Sequence, residues 1–264
     1  MFGSRPRLVN QWTRFRLTGA RGVARVLAAT LFPPHCCLCG FPGATLDLDL
    51  CSFCRADLPW TSLPWEVERH AEALVALRYE HPVDQMIREL KYQGRIAHAR
   101  VLGVLLAEAA LACGAPLPKL LVPVPLHPAR MQERGFNQAT ALARYAGRML
   151  EIPVLGAAVR RIRNTPSQTV LGVEQRQRNV SGAFRVAENS RRLLEAEHVA
   201  VVDDVMPTGS TLAELRAVLL AAGVRRVDTW AVARAGLSAD QARPAFLSAS
   251  SGGPSNEVSG TLPR

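Results

Sequence analysis

The stretch from Val199 to Leu212 constrains this chain more than any other: Val-Ala-Val-Val-Asp-Asp-Val-Met-Pro-Thr-Gly-Ser-Thr-Leu. Val199 to Val202 form an uninterrupted apolar run, the pattern of a strand covered on both faces in a parallel sheet. Leu212, Leu215, Val218 and Leu219 then recur at helical spacing. Strand, tight loop and helix follow in that order, and between the two elements lie two carboxylates and Thr208-Gly209-Ser210-Thr211. Gly209 permits close backbone approach, three hydroxyls stand beside it, and the free N–H groups of the new helix point at the loop. Such a loop is an anion cradle. Asp203 and Asp204 suit the other end of the ligand, because carboxylates accept the hydrogen bonds that vicinal hydroxyls donate. A ribose 5-phosphate fits both ends; the plainer alternative is an acidic strand end followed by an ordinary helix cap.

At 264 residues the chain is long enough for one sizeable α/β core plus a small accessory module. No apolar run approaches the length of a membrane span, so the expectation is a soluble chain without stable membrane insertion. The net charge of +10 is nearly all arginine, since Lys91 and Lys119 are the only lysines. Residues 1–46 hold Arg5, Arg7, Arg14, Arg16, Arg21 and Arg25 with no acid before Asp47, and further arginines gather in 128–150 and 160–185. A polyphosphate substrate needs such flanks, and so does DNA.

Taken in order, residues 1–32 read as a basic N-terminal arm, solvated or in contact with an anionic surface, and a poor secretory signal. Residues 33–58 hold Cys36-Cys37-Leu38-Cys39 and Cys51-Ser52-Phe53-Cys54. Pairing Cys36 and Cys39 with Cys51 and Cys54 gives two knuckles and four thiolates for a structural, tetrahedral Zn²⁺. Disulfides are disfavoured without a secretion signal, and a redox pair by the doubling of the motif. Cys37 and His35 stand by as spare ligands, and spacing does not decide between Cys36 and Cys37. Cys113, alone on an Ala- and Leu-rich helix, reads as packing.

Pro59 to Pro64 reads as a linker into a domain over 66–235. Val83, Met86, Ile87 and Leu90 mark one helix, closed by Lys91 and Tyr92, and Val101, Leu102, Leu105 and Leu106 mark another, ended by Gly114 and Pro116. A lysine at a helix end is ordinarily a dipole partner. Leu120 to Pro125 is a second short strand, and the loop after it, with Arg130 and Arg134, lies where open α/β sheets bind ligands. Ala139, Leu142, Ala143 and Ala146 follow on a helix, Val154 to Val159 reads as a further strand, and the polar, basic run from Arg160 as a lid or a solvated loop. Val227 to Val232 forms the last strand, with Trp230 in the core, and residues 236–264 have the composition of a disordered tail.

The order of apolar strand, Asp-Asp, short loop and Thr-Gly-Ser-Thr resembles the phosphoribosyl-pyrophosphate loop of the type I phosphoribosyltransferases. With the Cys-x-x-Cys knuckles, the Leu-Val-Pro-Val-Pro-Leu strand, Arg134-Gly-Phe-Asn-Gln138, Thr165-Pro-Ser-Gln168 and Arg176 to Phe184, the chain over about 33–235 resembles the ComF (GntX) family of competence-associated, phosphoribosyltransferase-like proteins. The resemblance implies a type I phosphoribosyltransferase-like parallel sheet behind a zinc-knuckle module, a cytoplasmic location, and a bacterial role in DNA uptake or DNA utilisation. It implies that Asp203 and Asp204 meet the ribose hydroxyls, and that Val205, Met206, Thr208, Gly209, Ser210 and Thr211 line the phosphate end. Arg130 and Arg134, with Mg²⁺, would face the diphosphate of phosphoribosyl pyrophosphate. Pro207 stands where many such loops carry Thr and removes one N–H donor.

Two classes of function compete: transfer of a phosphoribosyl group to a nitrogen acceptor, and a non-catalytic module that engages single-stranded DNA or a DNA-uptake helicase. A P-loop NTPase is excluded, because neither lysine follows a glycine.

Overall fold

The computed structural model describes residues 34–42, 48–61, 65–68, 71–164, 181–188, 190–206 and 209–235. The N-terminal arm, the C-terminal tail, Pro207, Thr208 and the motif residues 165–180 lie outside them. The chain forms two compact units, Met1–Asp57 and Leu58–Arg264.

In the first unit the chain reverses at Gly40, whose φ of +70° suits glycine, and its N–H donates to the Cys36 carbonyl at 2.8 Å. His35 and Pro42 close this turn as an antiparallel bridge. A short helix, α1 (Ser52–Ala56), starts at Cys51, whose Sγ accepts from the Cys54 amide at 3.4 Å.

Among the described residues the second unit's main sheet has five strands: β1 (Trp65–Glu68), β2 (Ala71–Arg78), β3 (Leu120–Pro123), β6 (His198–Met206) and β7 (Arg226–Arg234). Their spatial order is β1-β2-β7-β6-β3, parallel except for β1. The helices are α2 (Val83–Gln93), α3 (Ile96–Cys113), α4 (Pro128–Arg134), α5 (Gln138–Leu150), α6 (Arg191–Glu195) and α7 (Ser210–Ala221). A separate two-stranded ribbon pairs β4 (Val159–Arg161) with β5 (Phe184–Val186).

Strand β6 lies inside the sheet, between β7 and β3, and Val199, Ala200, Val201 and Val202 are inaccessible to solvent. Alternation turns Val199 and Val201 to one face, where they join Leu212, Leu215 and Leu219 of α7 and Phe184 of the ribbon. Ala200, Val202 and Asp204 point the other way. Helices α3 and α5 pack on each other, and Gly103 lets them approach: a Cβ there would stand 2.7 Å from the Leu142 carbonyl oxygen.

Four sequence expectations are corrected. Helix α3 is long and apolar enough to cross a membrane, with a mean hydropathy of 1.7. It is nonetheless a core helix, with Val101, Leu102, Leu105 and Leu106 fully buried. The supposed linker begins as sheet edge: Trp60 bridges to Leu77, and Thr61 Oγ1 donates to the Val75 carbonyl at 2.7 Å. Val154 to Val159 is not one strand. Val154 bridges to Leu121, the chain turns at Gly156, and Val159 pairs with Val186 in the ribbon. The loop after β3 holds α4, with Pro128 at its start, His127 Nδ1 accepting the Ala129 amide, and Gly135 closing it at φ +78°.

Candidate functional site

The carboxyl end of β6 gathers charge. Asp203 and Asp204 lie within the strand, which runs on to Met206, rather than in the loop beyond it. Pleating starts the two side chains on opposite sides of the strand, but their carboxyl groups stay close enough that Asp204 acts on Asp203 both by charge and by side-chain hydrogen bonding. Asp204 is buried, and its Oδ2 lies 2.7 Å from the Lys91 ammonium, delivered by the last turn of α2. Its Oδ1 accepts the Val205 amide at 2.9 Å, and Asp203 Oδ1 accepts the Asp204 amide at 2.8 Å. Burial, and then the neighbouring Asp204 charge, push the Asp203 carboxyl well above its ordinary value of 3.8. Burial works against charge on Lys91, but Asp204 and, further off, Asp203 outweigh it and the ammonium's pKa rises.

Lys91 is placed by the junction after it. Gly94 closes α2 at φ +64°, and Glu89 holds the turn to α3 by receiving His98 Nε2 at 2.8 Å and Arg95 Nη1 at 3.1 Å. A lysine that sequence made a dipole partner is instead the counter-ion of a buried carboxylate.

Arg161 of the ribbon stands within the field of Asp203, its guanidinium 5.6 Å from the centre of the Phe184 ring. Its pKa is lowered, first by burial and then by the like charge of Arg130, while Asp203 opposes both. Arg161 thus shares a field with one predicted cation and one predicted carboxylate. No sequence signal set it apart from Arg160 and Arg163; only its register opposite Phe184 does.

The Arg-Gly-Phe-Asn-Gln stretch serves the same edge. Helix α4 sets Arg130 and Arg134 one turn apart on one face. Arg134 Nη1 donates to Gln138 Oε1 at 2.7 Å, and its guanidinium stands 5.5 Å from the centre of the Tyr92 ring. Asn137 Oδ1 caps α5 at the Thr140 amide, and its Nδ2 donates to the Val124 carbonyl at 2.9 Å, tying this corner to the chain leaving β3.

Of the phosphate-loop residues, Val205 and Met206 belong to the β6–β7 ladder, opposite Ala233 and Arg234. Gly209 adopts φ +73° directly before α7, and Ser210 and Thr211 form that helix's first turn. The ribbon is tied to the same helix, since Gly182 N–H donates to Glu214 Oε1 at 2.7 Å.

In the first unit, the Sγ atoms of Cys36, Cys39, Cys51 and Cys54 all lie within 4.8 Å of one another. A tetrahedron with Zn–S bonds of about 2.3 Å has S···S edges of about 3.8 Å, and Cys39 and Cys51 stand 3.8 Å apart. The donor set fits Zn²⁺ or a similar thiophilic ion. Cys36 is drawn in rather than Cys37. Burial opposes ionisation of Cys36, but the backbone amides of Cys39, Cys51 and Leu38 overcome it and bring its pKa to about 6. Burial, then the Cys36 and Asp49 charges, hold the Cys37 thiol at about 12. Cys113 is half-buried, its Sγ donating to the Ala110 carbonyl at 3.0 Å, in keeping with packing.

No protein-family model matches the chain. Among characterised proteins it is similar to competence protein F of Haemophilus influenzae, 35% identical over 161 residues, which are 60% of this chain and 70% of that protein. It is also similar to DNA utilization protein YhgH of Escherichia coli K12, 33% identical over 203 residues, 75% of this chain and 83% of that protein. The YhgH protein of Salmonella typhi is 33% identical over 204 residues, with the same coverage.

Two outcomes follow from this geometry. Purified protein should hold about one zinc per chain; Cys36→Ser should lose it and Cys37→Ser should retain it, as read by metal analysis of the dialysed variants. Lys91→Met should cost about 3 kcal/mol in urea unfolding, because it leaves Asp204 buried without a counter-ion. Adding Asp204→Asn to that variant should recover most of the loss.

Proposed function

The chain belongs to the ComF family, and from that premise we propose that it binds a phosphorylated ribose, foremost phosphoribosyl pyrophosphate, and acts in bacterial DNA uptake or DNA utilisation. The observation that supports the ligand best is the end of β6, where two carboxylates meet cations from separate elements. Lys91 comes from α2 and stands 2.7 Å from Asp204, and Arg161 comes from the ribbon and feels both Asp203 and Arg130. Carboxylates accept from sugar hydroxyls, guanidinium and ammonium groups balance phosphate, and the start of α7 offers backbone N–H groups to the 5-phosphate. The role in DNA processes is suggested by the names of the relatives.

In this reading Asp203, which is half-buried, receives a ribose hydroxyl. Asp204 receives the other as Lys91 shifts toward the incoming phosphate. Arg130 and Arg134 of α4 face the diphosphate, and the Thr208–Thr211 loop holds the 5-phosphate. Asp203 would be the carboxylate oxygen donor nearest a Mg²⁺ bound with the diphosphate, and such an ion would neutralise part of the diphosphate's charge. Turnover consists of attack by a nitrogen nucleophile at C1 of the ribose, with pyrophosphate leaving. The protein supplies position and electrostatics to an oxocarbenium-like transition state.

A binding module without turnover is the second reading, and one feature favours it. In the ribbon, Arg160 stands directly opposite Arg185, both exposed. Like charges so paired repel, and a polyanion such as single-stranded DNA would relieve them. A pyrophosphate-release assay with candidate bases, set against a salt-dependent DNA titration, separates the two readings.

The ligand assignment has a sharper test. Between 3.8 and its raised pKa, Asp203 holds a proton in the folded chain that the unfolded chain has released. Stability therefore falls as pH rises through that window, and ionised Asp203 destabilises the fold above it. Asp203→Asn should raise Tm at pH 7, because it removes a charge that the folded state disfavours. The same variant should lose calorimetrically measurable affinity for phosphoribosyl pyrophosphate; undiminished affinity would refute the assignment.

A further inference from the structure

One aromatic side chain beside this site has no structural reason for its exposure. Tyr92 is 75% exposed although it directly follows Lys91, whose ammonium reaches Asp204. Arg134 lies over its ring at 5.5 Å and is itself held by Gln138, so the pair is oriented rather than loose. Met131, one helical turn before Arg134 on α4, and Ile96, just past the Gly94 cap of α2, are each 44% exposed. An aromatic ring backed by a guanidinium suits a planar, electron-rich heterocycle, which stacks on such a surface with little demand for a particular sequence or hydrogen-bond pattern.

The charge around the ring selects the rest of the ligand. Lys91, Arg130, Arg134 and Arg161 converge on this edge from three elements, which favours a ring that brings phosphate with it. An aliphatic or acidic peptide would use the charge but not the platform.

We propose that Tyr92, backed by Arg134, is a stacking platform for the nucleobase of the ligand whose sugar phosphate occupies the end of β6. The inference deepens the phosphoribosyl reading and rests on it. It assigns the acceptor to the class of purine or pyrimidine bases, and makes a nucleoside 5′-monophosphate, rather than a bare sugar phosphate, the ligand that fills the site.

The test compares ribose 5-phosphate, adenosine 5′-monophosphate and an unphosphorylated oligothymidine on the full chain and on Tyr92→Ala and Tyr92→Phe, by calorimetry. Tyr92→Ala should weaken adenosine 5′-monophosphate about tenfold and leave ribose 5-phosphate unchanged, while Tyr92→Phe keeps both. Equal affinity of the Ala variant for the nucleotide overturns the proposal. A parallel loss of both small ligands also overturns it, because Tyr92 would then be holding the pocket together. Loss of oligothymidine binding alone overturns it in favour of a strand-docking surface. Failure of the unaltered chain to bind ribose 5-phosphate is a different result, since it removes the phosphoribosyl reading itself.

Discussion

Two carboxylates at the end of a strand with no access to water below them are expensive to keep. Asp204 is tolerated because Lys91 meets it at 2.7 Å, and Asp203 because it retains partial contact with solvent and a share of the field of Arg161. Much of the surrounding architecture can be understood as what brings those cations to that point. Helix α2 ends at a left-handed glycine, and Glu89 ties its last turn to α3, which fixes the backbone from which Lys91 reaches Asp204. The ribbon is tied to α7 through Gly182 and Glu214, and Asn137 ties the corner bearing Arg134 to the chain after β3.

The same arrangement explains why Asp203 keeps a raised pKa. A fold selected for stability alone would replace it by a neutral residue, since burial and the adjacent charge both disfavour its ionised form. An unfavourable charge at the carboxyl end of a central parallel strand is uncommon in a core and common in binding sites. The four-cysteine unit follows a different logic. Its described residues hold one five-residue helix and few buried apolar side chains, and a metal such as zinc held by the four close thiols would stand in for an extended core.

Much of this was legible in the sequence, and the failures have physical causes. Strand β6, helix α7 and strand β7 stood out because an apolar run covered on both faces and a helical stripe leave unambiguous patterns. The cysteines stood out through spacing, though choosing Cys36 over Cys37 required the turn at Gly40 and the amides around it. Strand β2 was missed: Ala-Glu-Ala-Leu-Val-Ala-Leu has weak strand propensity and becomes a strand because β1 and β7 pair with its two edges. Helix α4 passed as a loop because it is seven residues long and polar. The full extent of β6 is hidden in the sequence because the carboxylates interrupt the apolar run. The reach of Lys91 to Asp204 and the seat of Arg134 over Tyr92 join residues far apart in the chain, so periodicity could not reveal them. The ComF resemblance supplied the family, which similarity to competence protein F and YhgH bears out.

The central claim is that the end of β6 is a sugar-phosphate site whose acceptors are Asp203 and Asp204. A crystal structure of the chain soaked with ribose 5-phosphate addresses it most directly. The account predicts ring hydroxyls within hydrogen-bond distance of both carboxylates, the phosphate at the start of α7, and Lys91 moved from Asp204. A ligand bound elsewhere, with the Lys91–Asp204 pair intact, would contradict it.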